Sequence, residues 1–102
     1  MIARHWRGWT TPANADPYEN LLKKKILPML KEIPGYKGGY VLRRDMTAEV
    51  EFVVINLFDS IESVQAFAGP DYTVAKFEPE ARQLLSKVEP FAHHYEIRAS
   101  TV

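Results

Sequence analysis

The sequence predicts an α+β fold in which four strands and two main helices follow the order βαββαβ, the ferredoxin-like split unit with one antiparallel sheet. Three observations lead there. Apolar residues recur at helical spacing between Tyr18 and Ile33. Stretches of β-branched and aromatic residues without that spacing lie on either side of it. Turn residues at Thr11-Pro12, Pro34-Gly35, Gly69-Pro70 and Pro90 divide the chain between them. The 102 residues make a single domain, 1–102, long enough to bury a core without staples.

Ile2 to Thr10, with an isoleucine, two tryptophans and a threonine at no helical spacing, reads as the first strand. A helix is then expected from Asp16, with Asp16 as N-cap, Pro17 in the first turn and Glu19 completing a capping box. Tyr18, Leu21, Leu22, Ile26, Met29, Leu30 and Ile33 form its apolar stripe, and Pro28 should kink or end it. Lys23-Lys24-Lys25 is its solvated face. Tyr36 to Arg44 is the second strand, with Gly38-Gly39 marking a bulge or a close backbone approach. After a turn at Asp45 to Ala48, Glu49 to Asp59 is the third. A second helix opens at Asp59-Ser60, turns Ile61, Val64 and Phe67 inward and stops at Gly69-Pro70. Asp71 to Phe77 and Pro79 to Ser86 read as two short helical pieces, and His93 to Ala99 as the last strand.

The centre of the third strand, Phe52-Val53-Val54-Ile55, is apolar without alternation, so both of its faces need cover. Helices supply one cover. A second copy packed sheet to sheet, a symmetric homodimer, is the economical source of the other.

Composition excludes several function classes. Thirteen Lys and Arg balance thirteen Asp and Glu, which argues against nucleic acid or an anionic membrane as the main partner. The same strand order serves RNA-recognition domains, but here the third strand carries Val and Ile where those need stacking aromatics. There is no cysteine, hence no disulfide or thiolate chemistry. Apolar runs are too short to span a bilayer, and Arg4, His5 and Arg7 interrupt any signal-peptide layout. A soluble cytoplasmic protein is expected. Of the histidines, His93 and His94 are strand neighbours that point to opposite faces, and no metal-ligand spacing exists, so no metal is expected.

The first strand carries the unusual residues. Alternation puts His5, Arg7 and Trp9 on one face and Arg4, Trp6 and Gly8 on the other. Two arginines on a central strand need partners or a cavity. Either they stack on aromatics or pair with carboxylates such as Glu96 or Glu51, or they anchor a ligand. The expectation carried forward is a cavity between sheet and helices lined by His5, Arg7 and Trp9. Phe58, Phe67 and Tyr72 form its wall, Asn56 points in, and Tyr72 belongs to an irregular lid. A bulge near Gly8 would bring Arg4 and Trp6 inside instead.

The opening Met1 to Thr10, the centre Pro34 to Tyr40, the stretch Phe58 to Gly69 and the tail Val88 to Glu96 resemble the antibiotic biosynthesis monooxygenase family. The resemblance implies a dimeric α/β barrel built from two ferredoxin-like units. It also implies a monooxygenase, either of the cofactor-independent kind acting on aromatic or quinol-type molecules or of the heme-degrading kind. The heme-degrading branch has an Asn, a Trp and a His ligand where Arg7, Phe67 and Phe77 stand here, so heme degradation is disfavoured and no cofactor is expected. The cofactor-free branch needs a base, for which His5 or His94 qualifies, and a donor to the substrate's developing charge, for which Arg7 or Asn56 qualifies. A non-catalytic small-molecule binder or structural dimer is the alternative.

Overall fold

The computed structural model describes residues 1–102. Its elements are β1 (Ile2–Thr10), α1 (Pro12–Leu21), a π-helical turn (Leu22–Ile26), α2 (Leu27–Leu30), β2 (Tyr36–Asp45), β3 (Val50–Phe58), α3 (Ile61–Ala68), α4 (Pro79–Leu84), β4 (Leu85–Val88) and β5 (His93–Glu96). The sheet is antiparallel in the order β2-β3-β1, and β4 and β5 share the far edge of β1. β4 pairs with Gly8 to Thr10 and β5 with Ile2 to His5. This is the ferredoxin-like arrangement with its last strand broken in two. No helix is long and apolar enough to cross a membrane.

The first helix starts at Pro12, not at Asp16. Thr11 is its N-cap, accepting a hydrogen bond from the Asn14 amide at 3.3 Å, and Pro12 occupies the first turn. The Thr-Pro pair is as good a start signal as Asp-Pro four residues on. Asp16, freed from capping, accepts from Arg43 at 2.7 Å. Pro28 does not end the helix, because a wide turn precedes it. The Leu27 amide bonds to the Leu22 carbonyl, five residues back. That widening relieves the clash a proline makes with the carbonyl four residues before it.

Three further expectations are corrected near the C-terminus. Asp71 to Phe77 is not helical. It is a turn followed by an isolated bridge between Val74 and Phe91, tied to the sheet edge by Ala92 N to Thr73 O (2.8 Å) and Ala75 N to Pro90 O (2.9 Å). Leu85 to Val88 is a strand rather than a helix end, and the last strand stops at Glu96. One cause underlies the turn and the broken edge strand. Pro90 cannot donate a ladder hydrogen bond, so the edge strand breaks there and the 71–75 turn fills the gap.

The core lies between the sheet and α1, α3 and α4. Phe52, Phe58, Val64 and Ala15 are fully buried, and Tyr18 meets Phe52 edge-to-face at 4.8 Å. Each such large side chain contributes about 1.5–3 kcal/mol by leaving water. Residues Ile2, Arg4, Trp6, Gly8 and Thr10 of β1 take this side, opposite Phe58, Asn56, Val54, Phe52 and Val50 of β3. The other face of the sheet carries Val53, Ile55 and Leu57, with Tyr40, Leu42 and Tyr95 about half exposed.

Candidate functional site: a cleft around Arg4

Between sheet and helices a cleft opens with an empty volume of about 590 Å³, its mouth included. The polar groups at its sheet end are Arg4 of β1 and Asn56 of β3, direct partners in the strand pairing. Its walls are Trp6, Leu22, Ile26, Leu30, Phe67 and Phe77. Lys76 and Glu78 also line it.

Arg4 is only 4% exposed and has no carboxylate partner. Its guanidinium donates to the Tyr72 carbonyl, to the Val74 carbonyl at 3.2 Å and to His94 Nε2 at 3.0 Å. Arginine has donors only, so His94 Nε2 must present its lone pair and the ring proton sits on Nδ1. Burial, Arg4 and His93 together hold the His94 pKa below its ordinary value, which keeps the imidazole neutral. All three acceptors of Arg4 are therefore uncharged. Burial pushes the guanidinium pKa down to about 10, and the group stays cationic at neutral pH. Its centre lies 5.5 Å from the Phe67 ring centroid. Of its five N–H groups, Nε–H and one on Nη2 make no hydrogen bond to protein.

Asn56 is oriented by its neighbours. Its Oδ1 accepts from the Tyr36 hydroxyl at 2.9 Å, and burial raises the Tyr36 pKa so that the hydroxyl keeps its proton. The Asn56 amide N–H groups have no protein acceptor. Gly39, beside Asn56 in the pairing of β2 with β3, makes this hydrogen bond sterically feasible. A Cβ there would sit 2.5 Å from Asn56 Oδ1 and 2.8 Å from the Ile55 carbonyl. The Gly38-Gly39 pair thus marks both a close approach and the bulge between Tyr36 and Gly38.

The faces of β1 are the reverse of the expectation. His5, Arg7 and Trp9 lie on the open side of the sheet, across from Ile55, Val53 and Glu51. Arg7 is held there by Glu89 at 2.5 Å and Glu51 at 3.4 Å, and it lies 5.4 Å from the Trp9 ring. Its place on that face keeps it out of the cleft, and the two carboxylates balance its charge there. His5 packs edge-on to Tyr95, and its Nδ1 is shielded from solvent without a partner. No bulge causes the exchange; the pairing of β1 with β3 is regular throughout.

The remaining named residues divide. Asn56 and Phe67 line the cleft. Phe58 stands behind Phe67, the two rings stacked at 6.2 Å, and contributes support rather than surface. Tyr72 offers its carbonyl to Arg4 while its ring packs edge-on to His94 at 5.1 Å. His94 touches the cleft through Arg4. Sequence reasoning missed Phe77 as a wall and placed Arg4 and Trp6 only in the alternative. Gly8 carried the missing signal: a Cβ there would lie 2.3 Å from the Trp6 indole. A glycine two residues from a tryptophan leaves room for the indole to lie over the strand backbone.

No family model matches the sequence, and no curated protein matches it. Solved structures do match in fold. A Bacillus cereus protein assigned as an antibiotic biosynthesis monooxygenase superposes with a TM-score of 0.68 at 13% identity, over 100% of this chain and 95% of that one. The ActVA-Orf6 monooxygenase of Streptomyces coelicolor, solved with the ligand nanaomycin D, gives 0.68 at 16% identity over 99% and 90%. The heme-degrader MhuD of Mycobacterium tuberculosis, with two hemes in its active site, gives 0.64 at 18% identity over 100% of both chains. End to end, this chain has the ferredoxin-like α+β fold of the antibiotic biosynthesis monooxygenase structures.

Proposed function

We propose that the protein is a cofactor-independent monooxygenase of a small aromatic, quinol-type molecule held in the Arg4 cleft. The observation that carries this reading is a buried guanidinium without a carboxylate, in an apolar cleft, with N–H groups free for a ligand. A buried charge of this kind is costly unless something anionic visits it. A phenolate or enolate oxygen meets the requirement, and Arg4 and Asn56 then stabilise the charge that forms when the substrate loses a proton. Neutral His94, which reaches the cleft only through Arg4, is the base of this scheme: a shift of the guanidinium towards the bound substrate's oxygen frees the Nε2 lone pair before the proton is taken. The carbanion gives one electron to O2, the radical pair joins as a peroxide, and loss of water leaves a carbonyl. The balance is CH2 + O2 → C=O + H2O, with no external reductant.

Heme fits the cleft poorly. Its lining offers no imidazole or thiolate to iron, and Phe77 stands in the wall. Nor is any group of three or more His, Cys, Asp or Glu arranged to hold a metal ion.

The test is incubation with a panel of anthrones and quinols in air, under argon and under 18O2, read by mass spectrometry. The expected product has gained one labelled oxygen and lost two hydrogens, and forms only with oxygen. Binding without oxygen uptake across the panel would instead make the protein a non-catalytic binder.

The same reading pairs two copies through the open sheet face, where Ile55, Leu57, Tyr40 and Leu42 make an apolar surface bordered by the Arg7, Arg44, Glu51 and Glu89 charges. Light scattering at micromolar concentration should give twice the 11.7 kDa chain mass; a monomer there would overturn the pairing.

A further inference from the structure

The cleft around Arg4 has a neighbour. A second apolar groove, with an empty volume of about 670 Å³ counting its solvent-open side, lies outside it against Met29, Ile33 and Ala66. The two share Ile26, Leu30, Phe67, Lys76, Phe77 and Glu78, and so lie side by side along a common boundary. Seven of the nine residues around the outer groove are hydrophobic. Its polar members are partly occupied: Lys76 Nζ donates to the Phe67 carbonyl at 2.7 Å and sits 5.4 Å from the Phe67 ring centroid. Met29 is 46% exposed in this groove. The wall thus runs from a buried cation at the sheet to an open apolar channel between α2 and α3.

We infer that the ligand of this site is elongated, with an acidic oxygen at Arg4 and an apolar body that passes between Phe67 and Phe77 into the outer groove. This rests on the anchoring role given to Arg4 above and adds the shape and polarity of the molecule it anchors. Adjacency decides the occupant. A ligand fixed by its oxygen at the sheet end can extend only along the walls, and apart from Lys76 and Glu78 those walls offer dispersion contacts rather than hydrogen bonds. Phe67 and Phe77, common to both chambers, form the neck and set which bodies pass. Met29, Ile33 and Ala66 then select for length.

The experiment is calorimetric titration of the intact protein under argon with 4-alkyl-2-nitrophenolates, methyl to octyl, which O2 does not oxidise. The wild-type affinity should rise with chain length, by about fourfold per methylene while the chain enters the groove, as transfer of roughly 0.8 kcal/mol per CH2 implies. Ala66→Trp, an exposed position on α3, should flatten the series while binding the methyl member as before. Met29→Asp, also exposed, should do the same by placing a charge against the tail. If the methyl member binds but the wild-type series is flat, or if Ala66→Trp retains the slope, the elongated ligand is overturned and the Arg4 anchor stands. If the methyl member fails to bind, the anchor and the elongated ligand fall together. Binding with the expected slope but no oxidised product from any quinol would remove the oxygenase reading and leave this one.

Discussion

Arg4→Ala is expected to weaken binding of a phenolate ligand by about 1.5–3 kcal/mol, the worth of hydrogen bonds made by a charged group. That corresponds to roughly tenfold to a hundredfold in affinity. Arg4→Lys should recover part of the loss, since it restores charge without the planar fork. Arg4→Met, which keeps much of the stem and none of the charge, should not. Arg7→Ala is the decisive control. Arg7 is bonded to Glu89 and Glu51 on the opposite face of the same strand, so its removal should leave affinity unchanged. Thermal melts of all four variants separate ligand loss from fold loss, because alanine at position 4 also leaves the Tyr72 and Val74 carbonyls without their donor. Unchanged binding in Arg4→Ala together with lost binding in Arg7→Ala would place the site on the open face.

How far the sequence reaches can be judged on β1 and β3. The non-alternating run Phe52 to Ile55 led directly to a sheet with two apolar faces, and the structure has them. Alternation also separated Arg4 from Arg7 correctly. It could not say which set faces the helices, because period-two parity is symmetric: it sorts residues into two faces and labels neither. The label comes from packing, here the Trp6 indole over Gly8 and the carboxylates Glu51 and Glu89 that gather Arg7 on the other side. Glu89 is distant in sequence and reaches Arg7 by continuing the β4 pairing one residue past Val88, its amide donating to the Arg7 carbonyl at 3.0 Å. The segment from Asp71 to Phe77 was misread for a related reason. Its composition permits a helix turn, yet its carbonyls and amides are claimed by Arg4, Pro90 and Ala92. Long-range hydrogen bonds of that kind leave no periodic trace in the residues that accept them.

Phe58 and Phe67 offer a test of how core and site divide, since both were expected in one wall. Phe58 is fully buried, stacked on Phe67 at 6.2 Å and edge-on to Tyr36 at 5.5 Å. Phe58→Ala should therefore cost about 3–5 kcal/mol of stability, a large share of the 5–15 kcal/mol typical of a whole domain. It should lower Tm by roughly 10 °C or more. Phe67 is only half-buried and lines both chambers. Its removal opens the neck towards solvent rather than sealing a void in the core, so Phe67→Ala should cost well under half as much stability. It also takes away the ring lying 5.5 Å from the Arg4 guanidinium and 5.4 Å from Lys76, together with a flat wall for an aromatic guest. Ligand affinity should fall further in Phe67→Ala than in Phe58→Ala at a temperature where both are folded. Urea unfolding and ligand titration on the same two variants read the two quantities separately. Equal destabilisation by both substitutions, with binding untouched in Phe67→Ala, would make Phe67 part of the core and the cleft shallower than its walls indicate.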